Sequence, residues 1–215
     1  MQNWEDFSKT CPIRNNLVVP FLAGLIEEKS PKVITELGCA SGHITRTIFK
    51  RFDTSNILFN LLDLEEKWLE FGKRIQPQLP KFQYYQFDFT SLQNNRVPPR
   101  ADILILSYVL MECKLSKISL NQIKRLVNKN GLIFIAIPDF LEDVMQTANI
   151  QCLEDYMNGH SLLQKQKSGS PMYKFHANRV ENIIALFLEG GFFLKSLKQV
   201  ALQEKRHIFM VFEKC

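Results

Sequence analysis

The chain has 215 residues, 46% of them hydrophobic and 23% charged, which excludes the disordered and fibrous classes and fits one globular domain with a full core. Its net charge of +5 is modest, and no lysine-arginine run is dense enough to point to nucleic acid. Met1 to Asp6 lacks the pattern of a secretory signal and no apolar stretch reaches bilayer length, so a soluble, cytoplasmic protein without a membrane partner is expected.

Residues 1 to 30 carry Trp4, Phe7 and a dense apolar run from Leu17 to Ile26. That run predicts one or two helices leaning on the first strand, with Pro20 at a helix start or kink. Val33 to Thr35 is β-branched and predicts a buried strand, which Gly38 and Gly42 turn into a helix. This strand-turn-helix unit lets a flat ligand touch the main chain. A Gly-x-Gly-x-x-Gly dinucleotide fingerprint is not met, because Ala40 and His43 stand where glycines are required. The methyl group of Ala40 fits the turn at negative φ, which is the expectation for that position.

A second strand, Ile57 to Leu62, ends at Asp63. In a βαβ nucleotide site an acid at this distance from the glycine turn accepts hydrogen bonds from ribose hydroxyls. Leu64 to Ile75 predicts a helix, and Phe82 to Phe87 a strand that runs into Asp88-Phe89-Thr90. Ala101 to Ser107 is a strong buried strand, with Tyr108 to Cys113 just past its tip, where open α/β sheets bind ligands. Ile118 to Val127 predicts a helix stopped by Asn130-Gly131, and Leu132 to Ile137 a fifth strand. From 139 to 177 the pattern loosens, and long excursions of this kind are commonly functional. A helix over Val180 to Leu188 and two strands, from Gly190-Gly191-Phe192 onward and at Arg206 to Phe212, complete the chain.

Glu36-x-Gly38-x-Ala40-x-Gly42 resembles the first motif of class I S-adenosylmethionine-dependent methyltransferases, with alanine at the middle glycine. Asp63 and the order of strands extend the resemblance over nearly the whole chain. It implies a single doubly wound α/β domain over 1–215 with a mostly parallel seven-stranded sheet, a lid over 1–30 and a substrate cap over 139–177. It also implies S-adenosylmethionine as cofactor, with contacts from Glu36, Gly38, Cys39, Ala40, Gly42, Asp63, Leu64, Asp88, Phe89 and Ser107. Asp88 would take the adenine amine and Phe89 pack on the ring; a carboxylate cap on a plain loop is the other reading of Asp88. No Asn-Pro-Pro-Tyr or Asp-Pro-Pro-Tyr motif follows the fourth strand.

The expected activity is methyl transfer to an oxygen or nitrogen of a small molecule. An anionic acceptor would match the basic excess after residue 165, which a solvated surface explains equally well. Methylation of RNA or protein, and a non-catalytic partner subunit of the same fold, are the alternatives. Five cysteines with no Cys-x-x-Cys pair and no histidine at ligand spacing point to neither metal nor disulfides. A hydroxyl acceptor gains roughly 10²–10⁴-fold from a positioned base, most often histidine. Of the four histidines, His176 and then His160, in or beside the excursion, are the candidates, while His43 and His207 read as structural. Trp4, Phe7, Tyr108, Tyr156 and Tyr173 are candidate acceptor contacts.

Overall fold

In the computed structural model, which describes residues 2–75, 81–92, 97–111, 113–139, 162–165, 173–176, 178–202 and 205–215, strand β1 (Val33–Leu37) is the axis from which the chain winds in both directions. Strands β2 (Leu58–Asp63) and β3 (Phe82–Gln86) add to one side of it, and β4 (Ala101–Ser107) and β5 (Val127–Pro138) to the other, all parallel. A two-stranded antiparallel ribbon, β6 (Leu162–Lys165) with β7 (Tyr173–His176), stands apart from the main sheet. Strands β8 (Phe192–Leu202) and β9 (Lys205–Lys214) close the sheet antiparallel, in the order β3-β2-β1-β4-β5-β9-β8. This is the expected doubly wound, mostly parallel seven-stranded sheet. Its winding reverses between β1 and β4, and the carboxyl ends of those two strands flank the crevice where such sheets bind ligands.

The alternation along each strand explains why both faces are covered. Ile103, Ile105, Phe209 and Val211 face a core shared with helices α2 (Val19–Lys29), α3 (His43–Arg51) and α4 (Glu66–Ile75). Leu104, Leu106, Met210 and Phe212 face a second core under helices α5 (Lys117–Arg125) and α6 (Val180–Glu189). A strand buried on both sides must be apolar throughout, which is why the central segments read as continuous runs.

The fifth strand departs from the expected boundaries. Helix α5 ends at Arg125, and Val127 already pairs with Ala101, so Asn130-Gly131 is no helix stop but an irregularity within an extended segment. Asn130 takes the left-handed conformation (φ 60°), which asparagine tolerates better than most residues. A side chain at Gly131 would lie 3.0 Å from the carbonyl oxygens of Ala101 and Asn128.

At the other end of the chain, α1 (Gln2–Thr10) precedes a π-helical stretch, Arg14–Val18, that runs directly into α2. Pro20 lies at the start of α2, and its missing N–H interrupts the regular helical ladder where the wider turn occurs. The consequence for the site is the placement of Arg14.

Candidate functional site

The turn after β1 is held by main-chain bonds and one carboxylate. Gly38 and Cys39 N–H both donate to the Leu62 carbonyl, at 2.8 and 3.0 Å, tying the turn to β2. Asp63 Oδ2 accepts the Ala40 N–H at 2.7 Å, and Oδ1 accepts the Glu65 N–H at 3.0 Å. Ala40 takes φ +47°, against the negative φ expected for it; the Asp63 acceptor fixes its amide in the left-handed conformation that alanine ordinarily avoids. Burial pushes the Asp63 carboxyl up, against these two amide donors.

Gly38 (φ +69°) and Gly42 (φ +76°) also serve packing. A Cβ on Gly38 would stand 2.3 Å from Val109 Cγ2, and one on Gly42 would stand 2.8 Å from Leu61 Cδ1. The crowding that forbids a side chain at Gly38 therefore comes first from the segment after β4, and that contact brings the tips of β1 and β4 together.

Glu36, on β1, is 4% exposed and accepts hydrogen bonds from Thr45 N–H, at 3.2 Å, and the Thr45 hydroxyl. Burial lifts its carboxyl to about 7, with Thr45 and the Arg14 guanidinium pulling the other way. Arg14 donates to Ser8 Oγ at 2.5 Å. Burial lowers its pKa, offset by Cys11, Glu36 and Tyr108 nearby. A small cavity of about 30 Å³ lies among these groups, lined by Ser8, Arg14, Glu36, Gly38 to Ser41, His43, Ile44 and Ser107. Ser107 Oγ is buried with no hydrogen-bond partner among the described residues.

Helix α1 is bolted over this cavity. Glu5 is 3% exposed; it receives Arg46 Nη2 at 2.6 Å and the Ser41 hydroxyl, while Arg46 also donates to the Ser41 carbonyl. Burial alone would raise the Glu5 carboxyl, but Ser41 and Arg46 overcome it and hold it below its ordinary value. His43 Nδ1 lies 4.0 Å from the same carboxylate, and burial drives its pKa down to about 4.

Other expected residues are more scattered. Leu64, beside Asp63, is 58% exposed. Asp88 Oδ1 accepts both the Thr90 N–H, at 2.8 Å, and its hydroxyl, at 2.6 Å. Phe89 is buried in the second core with Leu37 and Phe87. Phe7 is exposed, with the Arg14 guanidinium 5.8 Å from its ring centre. Trp4 lies on α1, and Tyr173 and His176 on β7, which runs beside the 3-10 turn Val109–Met111. Tyr156 and His160 lie outside the described residues. Among the described residues no cluster of His, Cys, Asp and Glu could hold a metal, and no helix is long and apolar enough to cross a membrane.

Two residues that sequence reasoning passed over stand out, and a third gains a partner. Arg14 and Glu5 have no motif around them, and only the fold brings them to the glycine turn. His207, read as structural, lies 5% exposed with Nδ1 3.0 Å from Tyr108 Oη.

A family model described as a methyltransferase domain matches residues 28–189. Among solved structures, a SAM-dependent methyltransferase from Methanosarcina mazei is similar at a TM-score of 0.68 and 11% identity, over 88% of this chain and 96% of that one. The N-methyltransferase NodS from Bradyrhizobium japonicum WM9 gives 0.61 and 10%, over 95% and 98%. Magnesium protoporphyrin IX methyltransferase from Synechocystis PCC 6803, solved with bound SAH, gives 0.64 and 11%, over 94% and 84%. A search of curated proteins returns no match.

Proposed function

The chain belongs to the methyltransferase-domain family, and from that premise we propose that it transfers the methyl group of S-adenosylmethionine to an oxygen or nitrogen of a small-molecule acceptor. The observation that carries this reading is the turn at the tips of β1 and β4, where Glu36, Arg14, the Asp63-braced Ala40 amide and the buried Ser107 hydroxyl converge. The residues fit a zwitterionic nucleoside. Arg14 suits its carboxylate and Glu36 its ammonium, Asp63 keeps lone pairs for ribose hydroxyls, and the exposed Leu64 offers an apolar surface beside them.

When bound, the cofactor supplies an electrophilic methyl carbon on a sulfonium leaving group. The chain's own part is to align and to exclude water. In this reading residues 1–30 act as a lid over the cofactor and 139–177 as the acceptor cap. Trp4, Phe7, Tyr108, Tyr156 and Tyr173 contribute to the acceptor pocket in the same reading.

Two of the basic residues that would support an RNA acceptor are engaged within the fold. Lys195 pairs with Glu213 at 3.1 Å and Glu28 at 3.8 Å, and Lys214 donates to the Lys124 and Val127 carbonyls. Calorimetry with S-adenosylhomocysteine, followed by incubation of methyl-labelled S-adenosylmethionine with small-molecule, RNA and protein pools, tests the proposal. Label is expected in the small-molecule pool; failure to bind S-adenosylhomocysteine, or label in RNA or protein, overturns it.

A further inference from the structure

Tyr108 is the first residue past β4 and sits at φ +63°, a conformation that a bulky aromatic residue adopts only when its surroundings impose it. Such outliers gather at functional sites. Here the backbone is pinned by the Tyr108 N–H, which donates to the Ala136 carbonyl at 2.8 Å. The left-handed turn points the phenol towards β9, where Oη meets His207 Nδ1 at 3.0 Å and the two rings stand at 88°. His207 is paired in register with Pro138, at the carboxyl end of β5. Tyr108 thus lies at the ligand end of the sheet, following Ser107 of the cavity wall in the chain, and its phenol is within electrostatic reach of Arg14 and Cys11.

Resting on the methyltransferase reading, we propose that Tyr108 and His207 form a proton relay serving a hydroxyl or phenol acceptor, in place of a base from the cap. As the acceptor oxygen bonds to the methyl carbon, the carbon–sulfur electron pair returns to sulfur and the acceptor's proton becomes acidic. That proton passes to Tyr108 Oη while the Tyr108 proton passes to His207 Nδ1, leaving a neutral phenol and an imidazolium. A relay of this form needs no free phenolate, which suits a phenol whose ionisation burial has pushed well above its usual range. It also assigns the strained Tyr108 and the buried His207 one shared purpose.

The test uses the full chain, with Tyr108→Phe, His207→Gln and His176→Ala beside the parent. Glutamine leaves a neutral amide beside the phenol that cannot take its proton, so it removes the relay while the site stays polar. Turnover is measured with methyl-labelled S-adenosylmethionine against a panel of phenols, alcohols and primary amines. A loss of at least about tenfold in turnover with hydroxyl acceptors is expected for both Tyr108→Phe and His207→Gln. Affinity for S-adenosylhomocysteine should stay at the parent's value.

Nitrogen NMR of histidine-labelled protein, with no cofactor added, supplies an independent readout. His207 Nδ1 should be the unprotonated, hydrogen-bond-accepting nitrogen in the parent and should shift in Tyr108→Phe. The relay is overturned if His207→Gln turns over like the parent, if His176→Ala alone carries the loss, if Nδ1 is protonated at neutral pH, or if amines alone are methylated. Transfer to no panel member by a parent that binds S-adenosylhomocysteine also overturns it, leaving the methyltransferase reading in place. A parent that does not bind S-adenosylhomocysteine overturns that reading and the relay with it.

Discussion

Glu5 Oε1 and Arg46 Nη2 lie 2.6 Å apart with both side chains at 5% exposure or less, joining the first helix of the chain to the helix that follows the glycine turn. An ion pair this deep contributes little net stability while intact, yet breaking one side of it leaves a charge in a dry site. Glu5→Gln should therefore destabilise the fold by about 3–5 kcal/mol, measured by urea denaturation, and Glu5→Gln with Arg46→Met should recover part of that loss. The same change should speed association of S-adenosylhomocysteine in stopped-flow fluorescence, since the latch on the lid is weakened. Unchanged stability and an unchanged association rate would remove the clamp from both roles.

Asp63 braces the turn before any ligand arrives, because its two oxygens take the Ala40 and Glu65 amides. Asp63→Ala leaves both donors unpaired and removes the acceptor proposed for ribose hydroxyls, a cost of about 1–3 kcal/mol in affinity for S-adenosylhomocysteine. Calorimetry checks it, and equal affinity in a folded variant would move the ribose contact elsewhere.

Gly38 is crowded by Val109 rather than by open space. Gly38→Ala should lower stability through that overlap and through φ +69°, by about 2–4 kcal/mol from overpacking and left-handed strain together. Adding Val109→Ala should return the overlap share but not the strain. If the double variant is no more stable than Gly38→Ala alone in thermal denaturation, the contact with Val109 is not what excludes a side chain.

Glu36 makes stability depend on pH in a direction opposite to a carboxylate held by an ion pair. Its folded value is raised from 4.5 to about 7, so between those limits the folded chain holds a proton that the unfolded chain has lost. The stabilisation is present in full below the unfolded value and fades as pH rises through the folded one, by roughly 3 kcal/mol at most. Glu36→Gln should lack this decline in denaturation curves taken across that window. Parallel curves for parent and variant would refute it. Binding of a ligand ammonium at Glu36 should also release a proton below neutral pH, detectable by calorimetry in buffers of different ionisation enthalpy.

What depends on local order was legible along the chain. Strand after strand was legible because segments covered on both faces tend to be continuously apolar, as in 103–106 of the fourth strand. The glycine turn and Asp63 were legible because spacing along the chain sets where they fall in a βαβ unit. Contacts between residues far apart in sequence came from the packed fold alone. Glu5 with Arg46, Arg14 beside Glu36, and Tyr108 against His207 arise where the lid and the last strands meet the turn, and no local pattern joins the two partners of a pair. Even Ala40, whose identity was plain, took its left-handed conformation from Asp63 across the turn. A side chain's class and periodicity are set by its neighbours in the chain, whereas its charge state and hydrogen-bond partner are set by what the fold packs against it.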